Sequence, residues 1–118
     1  MVQDINRFNE KFGKVINNVV KKKLGVVVNM QCVNKKYGFL EDTIKTDVDK
    51  KMRGNKILRQ LFRNITLDGY AYEDSESGEV QVRLHVHYSH TCGGGSNGHE
   101  VLGFYIDKDA KKVKYFDY

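Results

Sequence analysis

Residues 80–105 read VQVRLHVHYSHTCGGGSNGHEVLGFY, and the alternation within this stretch decides the fold. Val80, Val82, Leu84, Val86 and Tyr88 fall on one side of a period-two repeat. Gln81, Arg83, His85, His87 and Ser89 fall on the other. The first set is the core face of a strand. If the glycine-rich loop closes with Thr91 opposite His99, then Ser89 faces Val101, His87 faces Gly103, His85 faces Tyr105 and Arg83 faces Asp107. Leu102, Phe104 and Ile106 then join the core face, which supports this register independently of the histidines. A two-residue change in loop closure would slide the pairs but keep the faces. The outer face so built carries Arg83, His85, His87 and Tyr105, with a gap over Gly103.

Downstream and just upstream the period stays at two. Strands are expected at about 66–73, 79–91, 99–107 and 112–118, separated by turn clusters at Asp74–Gly78, Cys92–Gly98 and Lys108–Lys111. Earlier in the chain the period is helical. Ile5, Phe8, Phe12, Val15, Ile16 and Val19 trace an apolar stripe of a helix from about Val2 to Lys23, which Gly25 should end. Val26 to Val33 suits a short extra strand, and Asn34 to Thr43 reads as a connection. A second helix is expected after Thr43 or Thr46, either of which could cap it, with Val48, Met52, Leu58, Leu61, Phe62 and Ile65 as its apolar face. The expectation is an α+β fold, two N-terminal helices packed on one face of a four-stranded antiparallel meander, in one domain over residues 1–118.

Composition narrows the function classes. The chain has 118 residues, 40% hydrophobic and 30% charged, with no apolar run near the ~20 residues that span a bilayer. Cys32 and Cys92 are too few for a disulfide framework and are read as reduced thiols. These features point to a soluble, cytoplasmic protein with no membrane partner. The net charge of +5 hides a division: residues 1–64 carry 15 Lys+Arg against 6 Asp+Glu, a net +9, and residues 65–118 carry 5 against 9, a net −4. The basic half is where an anionic partner would be steered. On the first helix Lys11, Lys14, Lys21 and Lys22 lie away from the apolar stripe. On the second, Arg53, Lys56 and Arg63 line up at helical spacing and could follow a phosphate backbone. Solvated helix faces produce the same pattern.

The outer face of the central hairpin carries the chemistry. Two imidazoles can serve as general acid and base, Arg83 can hold a phosphate, and Tyr105 can stack a base or donate a proton. Two helices followed by a four-stranded meander resembles the layout of compact bacterial ribonuclease toxins of the barnase and RelE kind, which would imply metal-independent RNA cleavage by His85, His87, Tyr105 and Arg83. His85 and His87 also have a spacing that suits a divalent transition metal; no other cofactor is indicated. His90, Cys92 and His99 gather at the loop end as a second set of metal-ligating residue types. The histidine-hydrophobic-histidine pattern resembles that of HUH nucleases, but their tyrosine follows on a helix and only strands are expected here.

Two further motifs carry little. Lys35-Lys36-Tyr37-Gly38-Phe39-Leu40 is similar to the aromatic RNA-binding strand of RRM and cold-shock modules, except that Lys36 replaces the first glycine and Asp42 the last aromatic. Gly93-Gly94-Gly95-Ser96-Asn97-Gly98 fits G-x-G-x-x-G in letters, yet a strand rather than a helix should follow, so it is a hairpin loop able to close on a ligand. The C-terminal strand, with Tyr115, Phe116 and Tyr118, is an edge through which two copies could pair. The leading expectation is a small binding or regulatory module that engages nucleic acid, or a protein complex handling it, through the basic helical half. Such a chain would suit an inhibitor carried by a phage or other mobile element. A histidine-dependent endoribonuclease is the alternative, and a small-ligand binder using His87, Gly103 and the glycine loop is the third reading.

Overall fold

The chain has an α+β fold: among the described residues, six antiparallel strands, in sequence order across the sheet, are covered on one face by one long helix. The computed structural model describes residues 2, 4–46, 48, 62–90 and 96–117. The elements are α1 (Ile5–Leu24), β1 (Met30–Asn34), β2 (Phe39–Asp42), β3 (Phe62–Glu73), β4 (Val80–His90), β5 (Ser96–Ile106) and β6 (Val113–Tyr115). The meander expected from the turn clusters is therefore present, preceded by β1, which overlaps the short extra strand expected over 26–33, and by β2, which was not expected; one helix lies among the described residues.

Helix α1 starts where Asp4 accepts the Arg7 backbone N–H at 3.1 Å. It stops where Gly25 takes φ 70° and donates to the Lys21 carbonyl. Phe8, Phe12, Ile16 and Val19 of the expected stripe are buried together with Val20, while Ile5 and Val15 are half-buried. They join Val80, Val82, Leu84 and Val86 of β4 and Leu102, Phe104 and Ile106 of β5 in one core. Asn9 and Asn17, on the flank of the same helix, do something the apolar pattern does not show. Asn9 donates to the Cys32 carbonyl (3.1 Å) and accepts its N–H (2.8 Å), and Asn17 accepts the Met30 N–H (2.7 Å). The open edge of β1 is thus paired by helix side chains instead of by another strand. Burial pushes the Cys32 thiol up, and its Sγ contacts the Asn34 carbonyl at 3.6 Å. Cys92 lies outside the described residues.

Several expectations need correcting. The strand expected over 26–33 begins only at Met30, because Asn29 turns the chain by hydrogen bonding to Thr43 and Asp42. The connection expected over 34–43 contains β2, which closes on β1 through a turn at 35–38 and pairs with β3 along Phe39–Tyr70, Leu40–Gly69 and Glu41–Asp68. The Thr43 and Thr46 hydroxyls donate to the Asn29 and Val27 carbonyls. Most of the second expected helix, with Met52, Arg53, Lys56 and Leu58, falls outside the described residues. Phe62 and Ile65, assigned to its apolar face, belong to β3 instead.

Pairing of β4 with β5 moves the pairs and keeps the expected faces only over Leu102–Ile106; Val101, expected on the outer face, packs against the core, and His99 lies opposite Val86. Val82 faces Phe104, Arg83 faces Gly103 and Leu84 faces Leu102. A bulge then leaves Val101 as an extra residue, so that His85 faces Glu100 and His87 faces Gly98. The expected pairs, His87 with Gly103 and His85 with Tyr105, are displaced because β5 begins at Ser96 and the hairpin closes tighter. Ser96, Asn97 and Gly98 are strand residues, not loop; Gly93, Gly94 and Gly95 lie outside the described residues.

Candidate functional site

Two surfaces survive from the sequence reading, on opposite sides of the molecule. The first is the solvent side of α1. Lys11, Lys14, Lys21 and Lys22 are all exposed, and at about 100° per residue they occupy an arc of roughly 100° centred away from Phe12 and Ile16. Lys11 leans over the Phe12 ring at 5.3 Å. Among the described residues, none of the four has an ion-pair partner. Lys21 and Lys22, with Lys23, also complement the negative end of the helix dipole, a role that needs no ligand. The side chains of Arg53, Lys56 and Arg63 lie outside the described residues, although the Arg63 backbone runs in β3.

The second surface is the sheet face turned away from α1. Thr66, Asp68, Tyr70 and Tyr72 of β3 stand beside His87, His85, Arg83 and Gln81 of β4 in matched cross-strand pairs. Asp68 lies diagonal to His87, and its Oδ1 is 2.7 Å from His87 Nε2. The imidazole lies over Gly98, where a Cβ would come within 2.7 Å of the ring, so the absent side chain is what leaves room for it. His85 packs its ring edge-on to Tyr70 (5.9 Å) and lies 6.3 Å from the His87 ring. His85 Nδ1 is buried with no hydrogen-bond partner among the described residues.

Arg83 is already engaged. Its guanidinium is 3.2 Å from Glu100 and 5.0 Å above the Phe116 ring, which in turn packs on Tyr105 at 4.9 Å. The four residues singled out in sequence therefore divide into two groups. His85 and His87 sit together with Asp68, while Arg83 and Tyr105 belong to a cluster with Glu100 and Phe116. Gly103 lies opposite Arg83, so the expected gap does not adjoin the histidines. Among the described residues no group of three or more His, Cys, Asp or Glu side chains converges as a metal site.

Asp68 was legible and missed. Thr66, Asp68, Tyr70 and Tyr72 alternate against Leu67 and Ala71, which places Asp68 on the outer face by the same rule that placed the histidines. Glu100 carried no such signal, because the bulge after Leu84 sets its position.

Comparison with protein-family models, curated proteins and solved structures finds no match to this chain. No helix among the described residues is long and apolar enough to cross a membrane.

Proposed function

We propose that the chain is a binding module that engages nucleic acid, or a protein complex that handles it, through the basic face of α1. The observation that carries this is the placement of Lys11, Lys14, Lys21 and Lys22 on one exposed arc of a helix whose other side is fixed in the core. A rigid row of ammonium groups releases counterions from a phosphate backbone at little ordering cost beyond the lysine side chains themselves. A regulatory or inhibitory role, as for a protein carried by a mobile element, is the biological form this binding would take. Replacing Lys14, Lys21 and Lys22 together by Gln tests it. Binding of a labelled oligonucleotide at low salt should weaken at least tenfold while the far-ultraviolet circular dichroism stays unchanged. Unaltered affinity would refute the assignment to α1. Charge reversal at Arg53, Lys56 and Arg63 extends the test to the second basic stripe.

The Asp68–His87 contact favours a second reading, histidine-dependent cleavage of RNA on the sheet face. A carboxylate that accepts the Nε2–H fixes the tautomer and leaves Nδ1 as the base, with His85 beside it as the acid. Cleavage by the purified protein that is abolished in His87→Ala would support it. Absence of cleavage of any RNA by the unaltered protein would remove it.

A further inference from the structure

Tyr37, Tyr70 and Tyr72 leave 61%, 48% and 55% of their surfaces in solvent, and all three line one shallow cavity of about 100 Å³ with Ala71, Gln81 and Arg83. Strand pairing builds this cavity. Tyr70 is opposite Arg83 and Tyr72 opposite Gln81, while the Ala71 N–H donates to the Gly38 carbonyl and brings the 35–38 turn against β3. Tyrosine on a strand needs no ligand to explain it. Tyr37, however, is in the turn, and that turn is held by Asn34, whose Oδ1 accepts the Lys36 and Tyr37 N–H groups, and by Gly38 at φ 64°. The Tyr37 ring contributes nothing to that hydrogen bonding, yet it stands in water beside two other exposed rings.

Charge around the cavity favours an anionic occupant. Of the carboxylates around this face, Glu41 pairs with Lys45, Asp68 with His87 and Glu100 with Arg83, while Glu79, two residues before Gln81, has no ion-pair partner among the described residues. Lys35 and Lys36 in the adjoining turn have no ion-pair partner among the described residues, and the Lys36 ammonium lies 5.3 Å from the Tyr37 ring. An occupant should therefore be flat, aromatic, able to hydrogen bond at its edge and joined to negative charge.

We infer that this tyrosine cavity is a subsite for one unpaired base of single-stranded nucleic acid. The base stacks on the tyrosine rings, the Gln81 amide offers a donor and an acceptor to its edge, and Lys35 and Lys36 meet the flanking phosphates. The inference rests on the nucleic-acid reading of the preceding subsection and adds a base-dependent contact on the opposite side of the sheet.

The test compares binding of a labelled oligothymidylate with that of an abasic strand of the same length and charge. Stacking of one base is worth about 1–3 kcal/mol, so the base-bearing strand should bind roughly 5- to 150-fold more tightly. Tyr37→Ala and Tyr72→Ala should abolish that preference and leave abasic binding intact, whereas the lysine-to-glutamine variant of α1 should lower both. Should Tyr72→Ala fail to fold, Tyr37→Ala in the exposed turn reads the same contact. Equal binding of the two strands by the unaltered protein overturns the inference but leaves the α1 proposal standing. A preference that persists in the tyrosine variants also overturns it. A cavity that seats a protein segment instead would show no base preference, and falls under the first of these outcomes. Binding of neither strand would overturn both readings.

Discussion

Replacing Asp42 should destabilise the protein strongly, because three backbone donors converge on it. Asp42 is 7% exposed. Its Oδ1 accepts the N–H groups of Asn29 (3.0 Å) and Ile44 (3.1 Å), and its Oδ2 accepts that of Thr46 (2.8 Å). It thereby ties the exit of α1 to the exit of β2. A hydrogen bond to a charged acceptor contributes about 1.5–3 kcal/mol, and a donor left without one recovers part of this if water reaches it. Ile44 is exposed and Thr46 half-buried, so water can replace part of what they lose. The expected cost of Asp42→Ala is about 3 kcal/mol. With a urea slope of about 1.5–2 kcal/mol per molar, the unfolding midpoint should fall by roughly 1.5–2 M. Asp42→Asn keeps one acceptor but turns an amide donor toward Thr46 or its counterparts, and should lose about two-thirds as much. Burial pushes the Asp42 carboxyl up, but the hydrogen bonds from Asn29, Thr46 and Ile44 outweigh it and hold it below its ordinary value of 3.8. Its stabilisation is therefore complete above that value and is lost as pH falls through the lower folded one. The parent should show steeper acid destabilisation below about pH 4 than Asp42→Ala. A midpoint shift under about 0.3 M, or identical acid profiles, would refute the reasoning.

Three more outcomes follow from the same geometry. Gly38→Ala would place a methyl 1.9 Å from the Ala71 carbonyl oxygen at a residue with φ 64°; the β1–β2 hairpin must move off β3, and a loss of about 3 kcal/mol or more should lower the melting temperature by roughly 10 °C. A change of under about 3 °C would contradict it. Asn9→Ala strips both partners from the Cys32 backbone, at a cost of about 2 kcal/mol, and should make the protein associate with rising concentration as the β1 edge opens; unchanged stability and mass would count against the edge-pairing role. Strand β6 is the opposite edge of the sheet, and pairing of a second copy along it predicts a mass by light scattering that doubles with concentration, against a constant monomer mass if no such dimer forms.

The sequence made the sheet legible wherever one face is buried throughout. Val80 to Val86 and Leu102 to Ile106 alternate cleanly, so their faces were right even though the register was not. Register depends on how the hairpin closes and on one bulge at Leu84–His85, and neither leaves a mark in hydrophobic periodicity. Strand β2 was hidden for a different reason. Phe39-Leu40-Glu41-Asp42 is four residues long, buries only Leu40 and Asp42, and owes its position to backbone N–H groups that donate to the side chains of Asp42 and Asn34. The edge-capping role of Asn9 and Asn17 was equally silent, because a polar residue on a helix flank reads as solvent-facing. At the candidate sites the exposed lysines of α1 were read directly from the helical period. The grouping of Arg83 with Glu100 and Phe116, away from the histidines, required the observed register.

Salt dependence of oligonucleotide binding tests the central claim most directly. The slope of log affinity against log salt concentration is about −0.7 per phosphate contact for a single strand. Lys11, Lys14, Lys21 and Lys22 acting together contribute roughly −3 to the slope of the unaltered protein, and replacing Lys14, Lys21 and Lys22 by Gln should make it shallower by about 2. A slope near zero, or one that the three replacements leave unchanged, would contradict nucleic-acid engagement through the basic face of α1.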